Sequence, residues 1–352
     1  MPYPHHQSFI RFDNDVIYVT KTTFFIIDRK KNLNGFMLKT LLAMKIYLMF
    51  FVVLFFPARN YLCAQKKQVI SVLIIDGFSN HDWKQTTAVT KWILEKTGRF
   101  SVAVSTIPAD SNDRSVWKPD FEKYAVVIQN TNNINDTSLR WPVPAERALE
   151  KYMNAGGGLY VLHSGNNAFP HWSEYDKMIG LGWRPRSSGY ALEIDAAKNI
   201  IRIPPNEGNG TGHGKRFNAV IHKLNQHPIN RDYPEEWQTA NTEVYNYPRG
   251  PAENITVLSY AFDSTATQRN WPVEWVVTYG KGRVYNSSMG HLWQGEIYPP
   301  AYRCVGFQTT MIRAVEWLAT GKVTYPVPID FPVKGSISLR NENEFINSGK
   351  NR

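Results

Sequence analysis

Between residues 68 and 163, four apolar runs of β-forming residues alternate with amphipathic stretches, and this alternation restricts the possible folds more than any other feature. The runs are "QVISVLII" (68–75), "FSVAVSTI" (100–107), "YAVVIQN" (124–130) and "LYVLH" (159–163). They are apolar throughout, as expected of strands in a parallel sheet covered by helices on both faces. The first helical stretch opens at Asp82, which can cap it with Gln85 three residues on, and closes at Gly98. The clearest starts at Pro144, where a missing N–H costs nothing. It lines up Ala145, Ala148, Leu149, Tyr152 and Met153 and ends at Gly156–Gly158. Strand and helix in alternation predict a doubly wound, mostly parallel α/β sheet of flavodoxin type.

After residue 185 the pattern changes. "SGYALEIDAAKNIIRI" alternates, "GNGTGHGK" is a glycine-rich loop, and "NITVLSYAF" is a further strand. "PVEWVVTYGKGRVYNSSMGH" reads as two strands turned by Gly280, Lys281 and Gly282, so an added β-hairpin region is expected. A last helix spans roughly 301–320 and Gly321 closes it. No repeat or linker divides the chain, which reads as one domain over 66–332 followed by a polar, frayed tail, 333–352.

The N-terminal part reads differently. Residues 44–64 have a positive start at Lys45, an apolar stretch from Ile46 to Phe56 and a short polar exit, the layout of a secretory signal peptide cleaved after Ala64. The apolar run is short for a membrane span, so no stable span is expected after processing. Residues 1–43 are then a leader outside the fold, with translation starting at Met37 or Met44 in place of Met1. The mature protein is expected to be periplasmic or secreted. Residues 1–64 hold eight of the 40 basic and three of the 30 acidic residues, so about half of the formal +10 charge goes with them. The remaining basic residues form no stripe, and a nucleic-acid partner is not indicated. Of the two cysteines only Cys304 remains, which excludes an intrachain disulfide. Its setting inside the last predicted helix reads as core. The sequence carries no signal of oligomeric state.

In open α/β sheets, ligands bind beyond the carboxyl ends of the strands. His81 and Asp82 follow the first strand, Asn130 the third, His163 and Asn166 the fourth, and His291 the last. His227, Glu243 and Tyr245 stand between. Two chemistries suit this set. In one, His163, Glu243 and His291, with His81 or His227, hold a divalent metal such as zinc. In the other, His163 and Glu243 act as acid and base without a metal. A pure binding pocket is the third possibility. Arg283 either touches substrate or braces the hairpin. His213 either closes over a ligand or stands aside in its glycine-rich loop.

The chain resembles the ThuA-like (trehalose utilisation) proteins, whose fold is similar to class I glutamine amidotransferases. The resemblance covers roughly residues 69–320. It rests on "NHDW", "GGGLYVLHSGNNAF", "HWSEYDKMIG", "HPI" at 227–229, "TEVY" at 242–245, "PVEWVVTYGKGRVYNSSMGH" and "AVEWLATG". An amidotransferase would carry a nucleophilic Cys where this chain has His163, so a glutaminase is excluded. The resemblance implies a protein acting on a small-molecule carbohydrate, either an enzyme for a glycoside or keto-sugar or a non-catalytic sugar binder, and the signal-like segment adds export. It implies His163, Glu243 and His291 as the catalytic group. His81, Asp82, Asn130, Asn166, Tyr245 and Arg283 would contact substrate.

Overall fold

A computed structural model describes residues 10–12, 15–20, 23–25, 69–297 and 299–343. The chain divides into two units, Met1–Gln65 and Lys66–Arg352. In the first unit, Ile10–Phe12, Asp15–Thr20 and Thr23–Phe25 form a small antiparallel sheet. The expected signal segment, 44–64, lies outside the described residues. Among the described residues, no helix is long and apolar enough to cross a membrane.

The second unit opens with strand β1 (Ile70–Asp76), helix α1 (Trp83–Glu95) and strand β2 (Phe100–Thr106). Strand β3 (Val126–Gln129), helix α2 (Val143–Asn154), strand β4 (Gly158–Leu162) and helix α3 (Ser173–Ile179) follow. Asp82 caps α1 as expected, its carboxylate accepting the Gln85 N–H at 3.0 Å. Pro144 sits in the first turn of α2. The chain then adds β5 (Tyr190–Ile194), β6 (Ile200–Ile203), β7 (Val220–Lys223), β8 (Glu236–Gln238) and β9 (Ile255–Phe262). Strands β10 (Asn270–Tyr279) and β11 (Gly282–Ser287) form the expected hairpin, and helix α4 (Val305–Thr320) closes the unit.

One twelve-stranded sheet runs through the unit, its main path in the order β8-β7-β9-β10-β11-β4-β3-β1-β2. From β11 to β2 all neighbours are parallel. That half has the flavodoxin strand order, with β11 as the fifth strand. Alternate β1 residues bury on opposite faces: Val72 and Ile74 pack with α1 and α4, Leu73 and Ile75 with α2 and α3. This is the doubly wound arrangement. The second half, β8 to β10, is antiparallel, so the added region is much larger than one hairpin.

Three expectations need correction. The run at 100–107 is not buried throughout: β2 is the edge strand, and Ser101, Val104 and Thr106 alternate outward. Cys304 is not inside a helix. It separates Pro300–Arg303 from α4 in extended conformation (φ −60°, ψ 120°) and is fully buried. The described part of the tail, 333–343, is docked and not frayed. Leu339 pairs with Cys304, Val305 N–H donates to Ser338 O at 2.9 Å, and Ile337 and Leu339 pack on the core. Apolar residues within an otherwise polar stretch dock it.

The turn after β4 is tight. A Cβ at Gly165 would lie 2.8 Å from the Gln129 carbonyl oxygen and 3.3 Å from Val161 Cγ1. Gly165→Ala is expected to cost about 1–3 kcal/mol through overpacking against backbone. The measurement is a lowered urea midpoint at unchanged m value; an unaltered midpoint would show that the turn yields freely.

Candidate functional site

The carboxyl ends of the parallel strands bring the imidazoles together. His81 lies in the loop leaving β1, His163 directly follows β4, and His291 follows β11. His163 has φ 43°, a left-handed conformation costly for a residue with a Cβ. It begins a 3-10 turn, His163–Asn167, so the chain reverses sharply and lifts the ring above the sheet edge. Glu243 and Tyr245 arrive from the added region, where Tyr245–Asn246 pairs with Gly212–His213.

The three rings form a triangle with centroids 4.8–5.1 Å apart. One nitrogen from each lies within 4.8 Å of the others, and all three residues are buried. Glu243 completes the group. Its Oε1 is 3.2 Å from His291 Nε2 and 3.5 Å from His213 Nε2, and its Oε2 is 3.8 Å from His163 Nε2. His81, His291, His213 and Glu243 line a cavity of about 400 Å³, a volume within the range of small-molecule sites.

Hydrogen bonds set the tautomers. His163 Nδ1–H donates to the Ser288 carbonyl at 2.7 Å, which leaves Nε2 as a lone pair facing Tyr245 OH at 3.4 Å. His81 Nδ1–H donates to Asn80 Oδ1 at 2.8 Å, and Asn132 Nδ2 donates to the same oxygen. Its Nε2 is likewise unprotonated. His291 Nδ1 accepts from Arg216 at 3.1 Å, so its proton stands on Nε2, facing Glu243. Arg216 also pairs with Glu296.

Burial, reinforced by the neighbouring rings and Arg216, keeps these imidazoles neutral. It pushes His81 down to about 4 and His291 down to about 3. His163 is held well below the usual imidazole range, first by desolvation and then by His81 and His291. The His163 and His291 distances to Glu243 therefore describe neutral rings beside a carboxyl. Burial raises Glu243, opposed by His213 and Arg216. His81 and His163, neutral and with Nδ1–H tied to hydrogen-bond acceptors, turn toward the cluster the lone pairs that a metal ion takes, whereas His291 would join them only on giving up its Nε2 proton. The buried His81, His163 and His291 group has the chemistry to hold one.

The family model described as trehalose utilisation, ThuA, matches residues 71–318. The chain belongs to the ThuA family. A crystal structure of a ThuA-like protein from Parabacteroides merdae ATCC 43184 is similar at 31% identity and a TM-score of 0.73. The match covers 79% of this chain and 99% of that one. An exo-β-1,4-mannosidase from Opitutaceae bacterium strain TAV5 overlaps at 11% identity and TM-score 0.29, over 62% of this chain and 31% of that one. The carbohydrate deacetylase Agd3 overlaps at 9% and 0.42, over 72% and 33%. No curated protein sequence matches.

Within this ThuA domain the expected residues divide. His163, Glu243, His291, His81 and Tyr245 converge. His227 does not: its ring packs edge-on to Trp317 at 4.6 Å, and its Nδ1 accepts the Ile229 N–H in a turn. Arg283 donates twice to the Leu318 carbonyl at the end of α4, because it starts β11 and the site lies where β11 ends. Asn130 ties β3 to α1 through the Trp83 carbonyl and Thr87 Oγ1. Asn166 is buried beneath the turn with its amide unpartnered, away from the cavity lining. Asp82 is spent on the helix cap, although it also lines a second depression of about 430 Å³ that shares His81.

Six lining residues escaped the sequence: Asn80, Ile134, Asn167, Trp183, Arg216 and Trp293. Asn80, Ile134, Asn167 and Trp293 stand in loops that follow parallel strands, one to four residues from the positions weighed, whereas Trp183 and Arg216 do not follow such a strand. His213, weighed as a bystander, faces Glu243.

The depressed imidazole pKa values set a pH dependence in metal-free protein. The unfolded chain protonates near 6.5, the folded protein only near 4 or below at His81. As pH falls through this window the unfolded state binds more protons, so stability is lost. EDTA-treated protein is therefore expected to show a falling urea midpoint between pH 7 and 5, and His81→Gln should flatten the fall. A midpoint that is level or rises on acidification would contradict the buried neutral assignment.

Proposed function

We propose that this ThuA protein is an exported carbohydrate-active enzyme that processes a glycoside or keto-sugar at the His/Glu site. His81, His163 and His291 would hold a divalent ion, zinc or a similar metal. Bound there, such an ion polarises a substrate oxygen or acidifies water. The observation that carries the reading is the convergence of three buried neutral imidazoles on one point with a carboxyl group of raised pKa beside them. Export is supported by the signal-like segment 44–64.

The chain's own residues supply proton transfer and orientation. Glu243 is raised toward neutrality by burial and stands within reach of anything bound against His291 and His163, as a general base requires. His213 touches the same carboxylate and is about one-third exposed, which links Glu243 to solvent protons. Tyr245 OH points at the His163 Nε2 position and can donate to a developing negative charge there. Arg216 holds Glu296 and His291 in place, so the loop 291–297 stays closed against the site.

Elemental analysis of purified protein is expected to find about one equivalent of divalent metal, lost in His163→Ala. Full metal content in that variant would remove His163 from the ligand set. Glu243→Gln should lower turnover of a keto-glycoside about 10²–10⁴-fold, the usual range for losing a general base, while metal and sugar binding persist. Sugar binding without turnover in the wild type would identify a binder instead.

A further inference from the structure

Two tryptophans frame the cavity, and neither is needed to hold the imidazoles. Trp293 is 44% exposed, although its backbone N–H is fixed by Glu296 Oε2 at 3.1 Å. Its indole lies 15° from parallel with the His291 ring at 6.0 Å and edge-on to His81 at 5.1 Å. Trp183 lies edge-on to Tyr245 at 5.3 Å and to His213 at 5.6 Å. Trp183, Tyr245, His81 and Trp293 line one aromatic wall, with His163, outside the lining, standing between Tyr245 and His81, and neighbouring centroids along this series are 5.0–5.5 Å apart. A rigid, exposed indole presented at a cavity is a stacking surface for a flat apolar face.

The polar lining restricts the ligand further. Asn167 is 93% buried and lines the cavity with its amide hydrogen-bonded to Tyr245. Among the described lining residues Arg216 is the only lysine or arginine, and it is already engaged with Glu296 and His291. A phosphoryl group would have to break that pair and settle beside the Glu243 carboxyl. A ligand with an apolar C–H face, hydroxyl edges and no charge meets these conditions.

Resting on the carbohydrate reading above, we propose that Trp293, at one end of the aromatic wall that Trp183 begins, is the platform for the C–H face of a neutral, unphosphorylated pyranoside. Trp293 is then a specificity-determining residue, and substrates phosphorylated on the ring are excluded.

The test is calorimetric titration of the intact, metal-loaded protein with methyl α-glucopyranoside, trehalose and glucose 6-phosphate. It is repeated on Trp293→Ala, Trp293→Phe and Trp183→Ala, with metal content and melting temperature recorded for each. The wild type should bind at least one neutral sugar about tenfold or more tighter than the phosphate. Trp293→Ala should weaken that binding about tenfold, and Trp293→Phe should restore most of it, with metal content and melting temperature unchanged. Equal binding by wild type and Trp293→Ala would overturn the platform and leave the carbohydrate reading standing. Tighter binding of the phosphate would overturn the neutral-ligand inference alone, and absence of any sugar binding by the wild type would overturn both.

Discussion

The hydrogen bond from His163 Nδ1 to the Ser288 carbonyl holds the site together. It links the turn after β4 to the segment after β11, across the last parallel pair of the flavodoxin half, next to the antiparallel extension. It also decides the chemistry of the ring. A carbonyl can only accept, so the proton stays on Nδ1 and the Nε2 lone pair is turned toward His81, His291 and Tyr245. The left-handed backbone at His163 is tolerated because this bond and the packing of Gly165 against Gln129 fix the turn.

Away from that point, buried charged side chains are paired in ways that shape loops. Arg249 is fully buried and donates to the carbonyls of Asn209, Gly189, Pro204 and Glu207, which gathers the glycine-rich segment next to His213. Arg313 on α4 does the same for Pro228, Ile229, Arg231 and Tyr325, and so sets the turn that carries His227 away from the cavity. Glu274, buried in the sheet, accepts from Ser259 at 2.6 Å and Tyr285 at 2.6 Å. Burial raises its pKa, and it reaches no cavity lining. Carbonyl-paired arginines define loop shape without placing a net ion pair in the core, where desolvation would be costly.

Much of the flavodoxin half was legible from its residues. Continuous apolar runs, a proline opening α2 and glycines closing helices each have a local cause, and these causes agreed. His81, His163 and His291 were legible because strand ends in such a sheet share one edge. Arg283, Asn130 and Asp82 were misplaced as substrate contacts for the same reason that they were noticed: they are polar and stand near strand ends. Which end of β11 Arg283 occupies, and that Asn130 is used up on Thr87, are facts of register and packing. Trp293 and Arg216 carried no local signal, since a Trp in a loop and an Arg in a glycine-rich stretch are ordinary.

The sequence by itself determined the order of strands and helices, the absence of a nucleophilic thiol after β4, and the placing of three histidines at strand ends. Those follow from periodicity, capping and residue chemistry within a few positions. Only the tertiary structure decided that His81 and not His227 joins the group, that Glu243 and His213 reach it from the added region, and that Trp183 and Trp293 wall the cavity. These contacts join residues 82 to 210 positions apart in several cases, as with Tyr245 to His163 and His81 to His291. Closure over such distances depends on how the antiparallel extension packs back across the sheet edge, and no local pattern of side chains encodes that.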